Sequence, residues 1–151
     1  MLRYLFTGLG LPETALAINR VAVGLFFLLS GYHKLFDAQR HAALILTLRS
    51  AGLRHITVLQ WLVPGAEFSG GLAVAIGLLS VPAALGLLIL SIGATFSDGI
   101  KRIANWQPID KADFLDDVLY LPEVLYALLL LSVILAGPGP YSLDALIAGY
   151  F

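Results

Sequence analysis

No cysteine occurs in the 151 residues. The chain itself therefore offers no disulfide, thiolate nucleophile, iron–sulfur site or zinc–thiolate site. Any redox chemistry would need a bound cofactor or a partner. Charge is almost as scarce: Asp, Glu, Lys and Arg make up 13% of the residues, about half the share in a soluble domain. The net charge of −1 argues against a nucleic-acid partner, which would call for a basic face. Apolar residues dominate instead, at 59% of the chain, with a mean hydropathy of +0.89. Such a composition belongs to an integral membrane protein, and the length suits one small domain.

The chain divides into apolar runs separated by short polar stretches. Met1 to Thr14 is a head broken by Gly8, Gly10 and Pro12, without the cleavage pattern of a signal peptide. The first span is expected over about 15–36 and covers about 33 Å at 1.5 Å per residue, enough for a bilayer core. Asp37 reads as the N-cap of a shorter helix, about Ala38 to Ala51, ended by Gly52. With Arg40, His41 and Arg49 among its leucines, that helix is expected to lie amphipathically in the interface. Further spans are expected at about 58–79, 81–98 and 118–136. The last stops at Gly137-Pro138-Gly139-Pro140, and Ser142 can cap a final helical turn. The fold class is thus all-α: a four-helix membrane bundle in a single domain, with an interfacial helix between spans one and two.

Loops after spans one and three carry Arg40, Arg49, Arg54, Lys101, Arg102 and Lys111, against Arg3 alone on the other side. The positive-inside rule puts those loops in the cytoplasm and both termini outside, across a cell inner (plasma) membrane.

Arg20, Gly24, Phe27, Gly31 and Lys34 fall on one stripe of the first span. Lipid would penalise its cations, so the stripe must face protein or interfacial water, and its glycines let a neighbouring backbone come close. Ala66, Gly70, Ala73 and Gly77 suit the same close packing on span two, or a homo-oligomer seam. Lys34, Glu67 and Glu123 lie within roughly 5 to 10 Å of one another in depth. They can form a shared cluster, either a pocket for a quinone head group or proton, or a structural ion pair. Tyr120, three residues before Glu123, can face the same pocket, and His33 adjoins Lys34.

His33 is the one histidine within a span, which argues against haem, since a haem between helices wants two axial ligands. Asp113, Asp116 and Asp117 share a helical face. Asp110 and Asp113 better fit the capping of a helix start, so no metal is assigned. Arg20 has no acid at its depth in the other spans. Asp144, returned to that end by the tail, is its expected ion-pair partner, with snorkelling to lipid phosphate as the rival.

Three ordered blocks then carry a family likeness: Arg20-x-x-x-Gly24-x-Phe26-x-x-x-Ser30-Gly31-x-x-Lys34-Leu-Phe36, Glu67-x-x-Gly70-Gly71-x-x-x-x-x-Gly77, and Gly137-x-Gly139-x-Tyr141-Ser142-x-Asp144. Together they resemble the DoxX family of small four-span membrane proteins. The resemblance implies a four-helix membrane bundle and a link to quinone-dependent oxidoreductase complexes. Two function classes follow. One is a membrane subunit of a redox system that binds quinone or passes reducing equivalents to a partner. The other is a non-catalytic anchor or assembly subunit of a larger complex. In both, the immediate partners are the lipid bilayer and other membrane subunits.

Overall fold

The computed structural model describes residues 9–149; Arg3 of the charge count lies outside them. Among the described residues every regular element is helical. Helix α1 (Pro12–Phe36) starts on a proline, whose missing N–H costs nothing in a first turn. It stops where Asp37 turns extended and caps α2 (Ala38–Ser50), accepting the Gln39 and Arg40 N–H groups at 2.8 and 3.0 Å. Those two bonds hold the Asp37 carboxyl below the usual carboxylate range. Gly52, at φ +71°, closes α2 while the Leu53 N–H reaches back to the Leu48 carbonyl at 3.3 Å.

Helix α3 (Ile56–Ile76) runs back antiparallel to α1 and ends at Gly77, φ +76°. A three-residue turn, Gly77 to Leu79, leads into α4 (Ser80–Ala94). The third span, expected to end near residue 98, continues without a break. A π-helical turn at Thr95–Gly99 passes α4 into α5 (Ile100–Trp106), giving one apolar rod of 27 residues. Asp110 then caps α6 (Lys111–Tyr120) by accepting the Ala112 and Asp113 N–H groups.

The helix expected from residue 118 instead begins at Pro122. Leu121 is extended, as the residue before a proline prefers, so α6 and α7 (Pro122–Ala136) meet at a 65° bend. Ser142 caps the short α8 (Leu143–Ala148), its hydroxyl accepting the Ala145 N–H at 3.1 Å.

Two helices are long and apolar enough to cross a membrane: α1 and the α4–α5 rod. The bent α6–α7 pair makes a third if counted as one. Helix α3, which carries Gln60, Pro64 and Glu67, does not reach that measure. Side-chain placement is that of a membrane protein. On α1 the exposed large apolar residues are Ile18, Val21, Leu25, Phe26, Leu29, Tyr32 and Phe36, while the buried set is Arg20, Val23, Gly24, Phe27 and Gly31.

Helix α1 packs on α3 far more closely than any other pair, α3 on α4, α4 on α7, and α7 back on α1. Val23, Phe27, Val74, Ala84, Leu87, Leu130 and Val133 form the core between them. The α1–α3 approach is backbone on backbone. A Cβ at Gly31 would stand 2.7 Å from the Pro64 carbonyl oxygen, and one at Gly71 would stand 2.7 Å from the Gly24 carbonyl oxygen. Gly70 meets Leu87 of α4 and Gly77 meets the Arg20 guanidinium, so both glycines serve contacts within the chain.

Gly31→Ala must therefore separate the helices or distort them, at a cost of about 1–3 kcal/mol. Gly86→Ala on α4, with open space where the methyl would go, is the control. In detergent, Gly31→Ala is expected to lower the melting temperature and Gly86→Ala to leave it unchanged. Equal behaviour of the two would remove the close seam as a source of stability.

Candidate functional site

The glycine seam carries the ionisable pair. Gly31 draws the Phe68 backbone onto α1, and Glu67, one residue earlier, arrives opposite Ser30 and Lys34. The Lys34 Nζ donates to both Glu67 carboxylate oxygens at 2.6 Å, and the Ser30 hydroxyl donates to Oε2 at 3.1 Å. Ser30 and Lys34 are four residues apart on α1 and so share a face. The two ends of the pair differ in access. The Glu67 side chain is 9% exposed and that of Lys34 is 29% exposed. The carboxylate is the more buried partner, and the lysine side chain is the more exposed one. A buried carboxylate with no partner would be costly, and here it is met by a full charge and a hydroxyl.

Glu123 does not join this pair. It accepts from Arg102 of α5, whose Nε also lies 3.1 Å from Asp98 in the π-helical turn. Arg102 figures in the sequence reading only as a loop cation. Because the α4–α5 rod runs on past residue 98, Arg102 instead reaches the first turn of α7. Tyr120 is 79% exposed and outside any shared pocket. The break at Leu121 cancels the three-residue spacing that would have set it beside Glu123. His33 is exposed, with its ring edge-on to Tyr32. Among the described residues no three His, Asp or Glu side chains gather as a metal site.

Two residues absent from the sequence reading of the site do adjoin it. His41 of α2 folds back so that Nδ1 lies 2.9 Å from the Lys34 carbonyl oxygen, and its ring sits 4.6 Å from that of Trp61 on α3. Both line a cleft of about 320 Å³ where α1, α2 and α3 meet, together with Leu35, Phe36 and Ile45. The separation of seven between Lys34 and His41 was the available signal. It was hidden because a capped corner at Asp37, not a continuous helix, brings the two together.

At the opposite end, the expected ion pair between Arg20 and Asp144 is replaced by a different arrangement. Arg20, 2% exposed, donates to the Val74 and Ala75 carbonyls in the last turn of α3 at 3.3 and 3.4 Å, and to the Tyr141 carbonyl. Asp144 accepts the Leu79 and Ser80 N–H groups and the Ser80 hydroxyl at 2.7 to 2.8 Å, at the start of α4. Among the described residues the two charges form no direct salt bridge. Each meets a helix end of opposite sign: the Arg20 Nη groups reach orphan carbonyls at a C-terminus while Nε has no partner, and the Asp144 carboxylate accepts orphan amides at an N-terminus. Between them they hold the α3–α4 turn, where Leu79 adopts φ +49°, and fasten the tail to it.

Partial burial alone would push the Asp144 carboxyl up. The three bonds from Ser80 and Leu79, with the nearby Arg20 charge, outweigh it and hold the group below the usual carboxylate range. Its contribution is therefore complete above the ordinary value of about 3.9 and is lost as pH falls through the lower folded value. Amide exchange at Leu79 and Ser80, corrected for intrinsic rates, is expected to stay slow at pH 5 and to rise below about pH 4. Asp144→Asn is expected to raise it at every pH. Unchanged exchange in the variant would mean that the carboxylate does not hold the turn.

Comparison with known proteins agrees with the first two sequence blocks. The DoxX family model matches residues 15–98, a stretch that takes in the α1–α3 seam, Ser30, Lys34, Glu67 and the Asp98 turn. No curated protein and no solved structure matches the chain. With more than half of its length under the family model, and with the charged pair seated inside the matched segment, the chain belongs to the DoxX family.

Proposed function

We propose that this DoxX family protein is a multi-pass membrane subunit in which α3 and α7 cross the bilayer beside α1 and the α4–α5 rod, forming a four-helix bundle. We further propose that its Lys34 end receives the head group of a lipid-soluble redox carrier of the quinone class. The cations Arg40, Arg49, Arg54, Lys101, Arg102 and Lys111 support a cytoplasmic placement of that end at the plasma membrane, with α2 in the interface and both termini outside.

The observation that carries the ligand reading is the uneven state of the Lys34–Glu67 pair. An ammonium has three donors, and Lys34 directs two contacts at Glu67 while its side chain stays 29% exposed. One N–H remains for a carbonyl. The cleft where α1, α2 and α3 meet starts one residue further along, at Leu35, without Lys34 in its lining, and is walled by Phe36 and Trp61, apolar surfaces suited to a ring. His41 adds the complementary group. Its Nδ1 faces a carbonyl and must carry the proton, so in the neutral ring Nε2 is left as an acceptor. A carbonyl on the oxidised carrier meets a donor, and a hydroxyl on the reduced carrier meets an acceptor.

A non-catalytic anchor or assembly subunit is the second reading, and a separate observation favours it. Glu67 is already met by both Lys34 and Ser30, so the pair needs no ligand to be satisfied and can serve the seam alone.

Trp61 supplies a direct test. In a Trp106→Phe background in nanodiscs, a short-chain benzoquinone is expected to quench Trp61 fluorescence saturably. Lys34→Met is expected to weaken that binding at least tenfold, provided its helical circular dichroism is retained. Quenching that rises linearly with quinone and is the same in both proteins would report partitioning into lipid only, and would leave the anchor reading.

A further inference from the structure

Helix α6 takes no part in the packed interior: none of its residues is buried. It is nevertheless firmly framed. Asp110 caps it, the Asp113 carboxylate accepts the Ile109 N–H at 2.7 Å, and Pro122 ends it. At 100° per residue, Phe114, Val118, Leu115, Leu119 and Ala112 fall on one side, with Lys111 of the first turn between Val118 and Leu115, and Asp116, Tyr120, Asp113 and Asp117 fill the other. The apolar side is open, with Leu115 59% and Leu119 49% exposed, and Ile109 just before the helix 93% exposed.

We propose that α6 lies in the membrane interface, its Leu115–Leu119 side against the acyl chains and its carboxylates in water. The occupant of the open face follows from its connections. One residue, Leu121, joins α6 to α7, and Leu121 is fully buried against Gly99 of the π-helical turn. That anchor fixes α6 at the level where α7 enters the bilayer. An axis turned 65° from a crossing helix lies closer to the bilayer plane than to its normal. Exposed leucines resume on α7 beyond that anchor, at Leu125 and Leu128. An open apolar side opposed to a charged one suits an interfacial helix, and Lys111, in the first turn, can extend its ammonium to the head groups. The proposal rests on α7 crossing the bilayer as proposed above, and not on any ligand.

Since the chain has no cysteine, single nitroxide labels can be placed cleanly at Leu115→Cys, Leu119→Cys and Asp116→Cys, with Leu128→Cys on α7 as the reference. In liposomes, power saturation is expected to give labels 115 and 119 an oxygen-to-nickel-chelate accessibility ratio several-fold above that of label 116, and closer to that of label 128. Labels 115 and 119 open to the nickel chelate while 128 is protected would overturn the proposal and leave α7 as a span. Labels 115 and 119 immobile and shielded from both reagents would overturn it in favour of a protein partner. Label 128 open to the chelate would overturn it together with the crossing of α7. A Leu115→Trp variant in a Trp61→Phe, Trp106→Phe background removes any concern about the label. Quenching by brominated lipid tails is expected, and its absence would overturn the proposal.

Discussion

The contact on which everything else depends is the backbone approach of α1 and α3. Between apolar helices in lipid there is little hydrophobic driving force, because the solvent is as apolar as the side chains, so close packing and polar bonds must supply the association. Gly24 and Gly31 on α1 and Gly71 on α3 provide the closeness. At that separation a lysine and a glutamate can meet without either extending into lipid, and a one-turn slip of either helix would strand both. The Lys34–Glu67 pair thus acts as a register mark as much as a candidate ligand site. In this view its value is conformational, since buried pairs are seldom strong sources of net stability.

The same economy of charge appears at the other end. Arg20 and Asp144 sit on the two halves of one turn, the cation on the end of α3 and the anion on the start of α4. Helix ends in an apolar medium carry backbone groups that water cannot reach, and each leaves a cost if unmet. Two charged side chains from distant parts of the chain meet that need and, in doing so, tie the tail to the first helix. Charged residues are few in this sequence, and each of Arg20, Lys34, Glu67, Asp98, Arg102, Glu123 and Asp144 has a defined partner.

Much of this was legible where the cause is local. Asp37, Asp110 and Ser142 announce their helix starts by residue type and position, and the stripe through Gly24 and Gly31 follows from helical periodicity alone. Matching depth was enough to bring Lys34 toward Glu67. What escaped depends on chain breaks and on backbone partners. The apolar run across Val118 to Ala136 masks the interruption at Pro122, and with it the fates of Tyr120 and Glu123. Arg102 reads as a topology charge until the rod is seen to run past Asp98. Arg20 was paired with an acid because side-chain charge is visible in a sequence, whereas the orphan carbonyls of a helix end are not.

Lys34 and Glu67 interact directly across the seam, and a charge-swap cycle measures that interaction. Thermal unfolding in one detergent would be compared for the wild type, Lys34→Glu, Glu67→Lys and the double variant. Each single change leaves two like charges facing each other in a partly buried site, and breaking a buried pair costs about 3–5 kcal/mol. The double variant restores opposite charges and is expected to recover most of the loss, a coupling well above the roughly 0.3–0.5 kcal/mol seen between independent sites. Losses that simply add would contradict a direct pair, and with it the register that the pair is held to set.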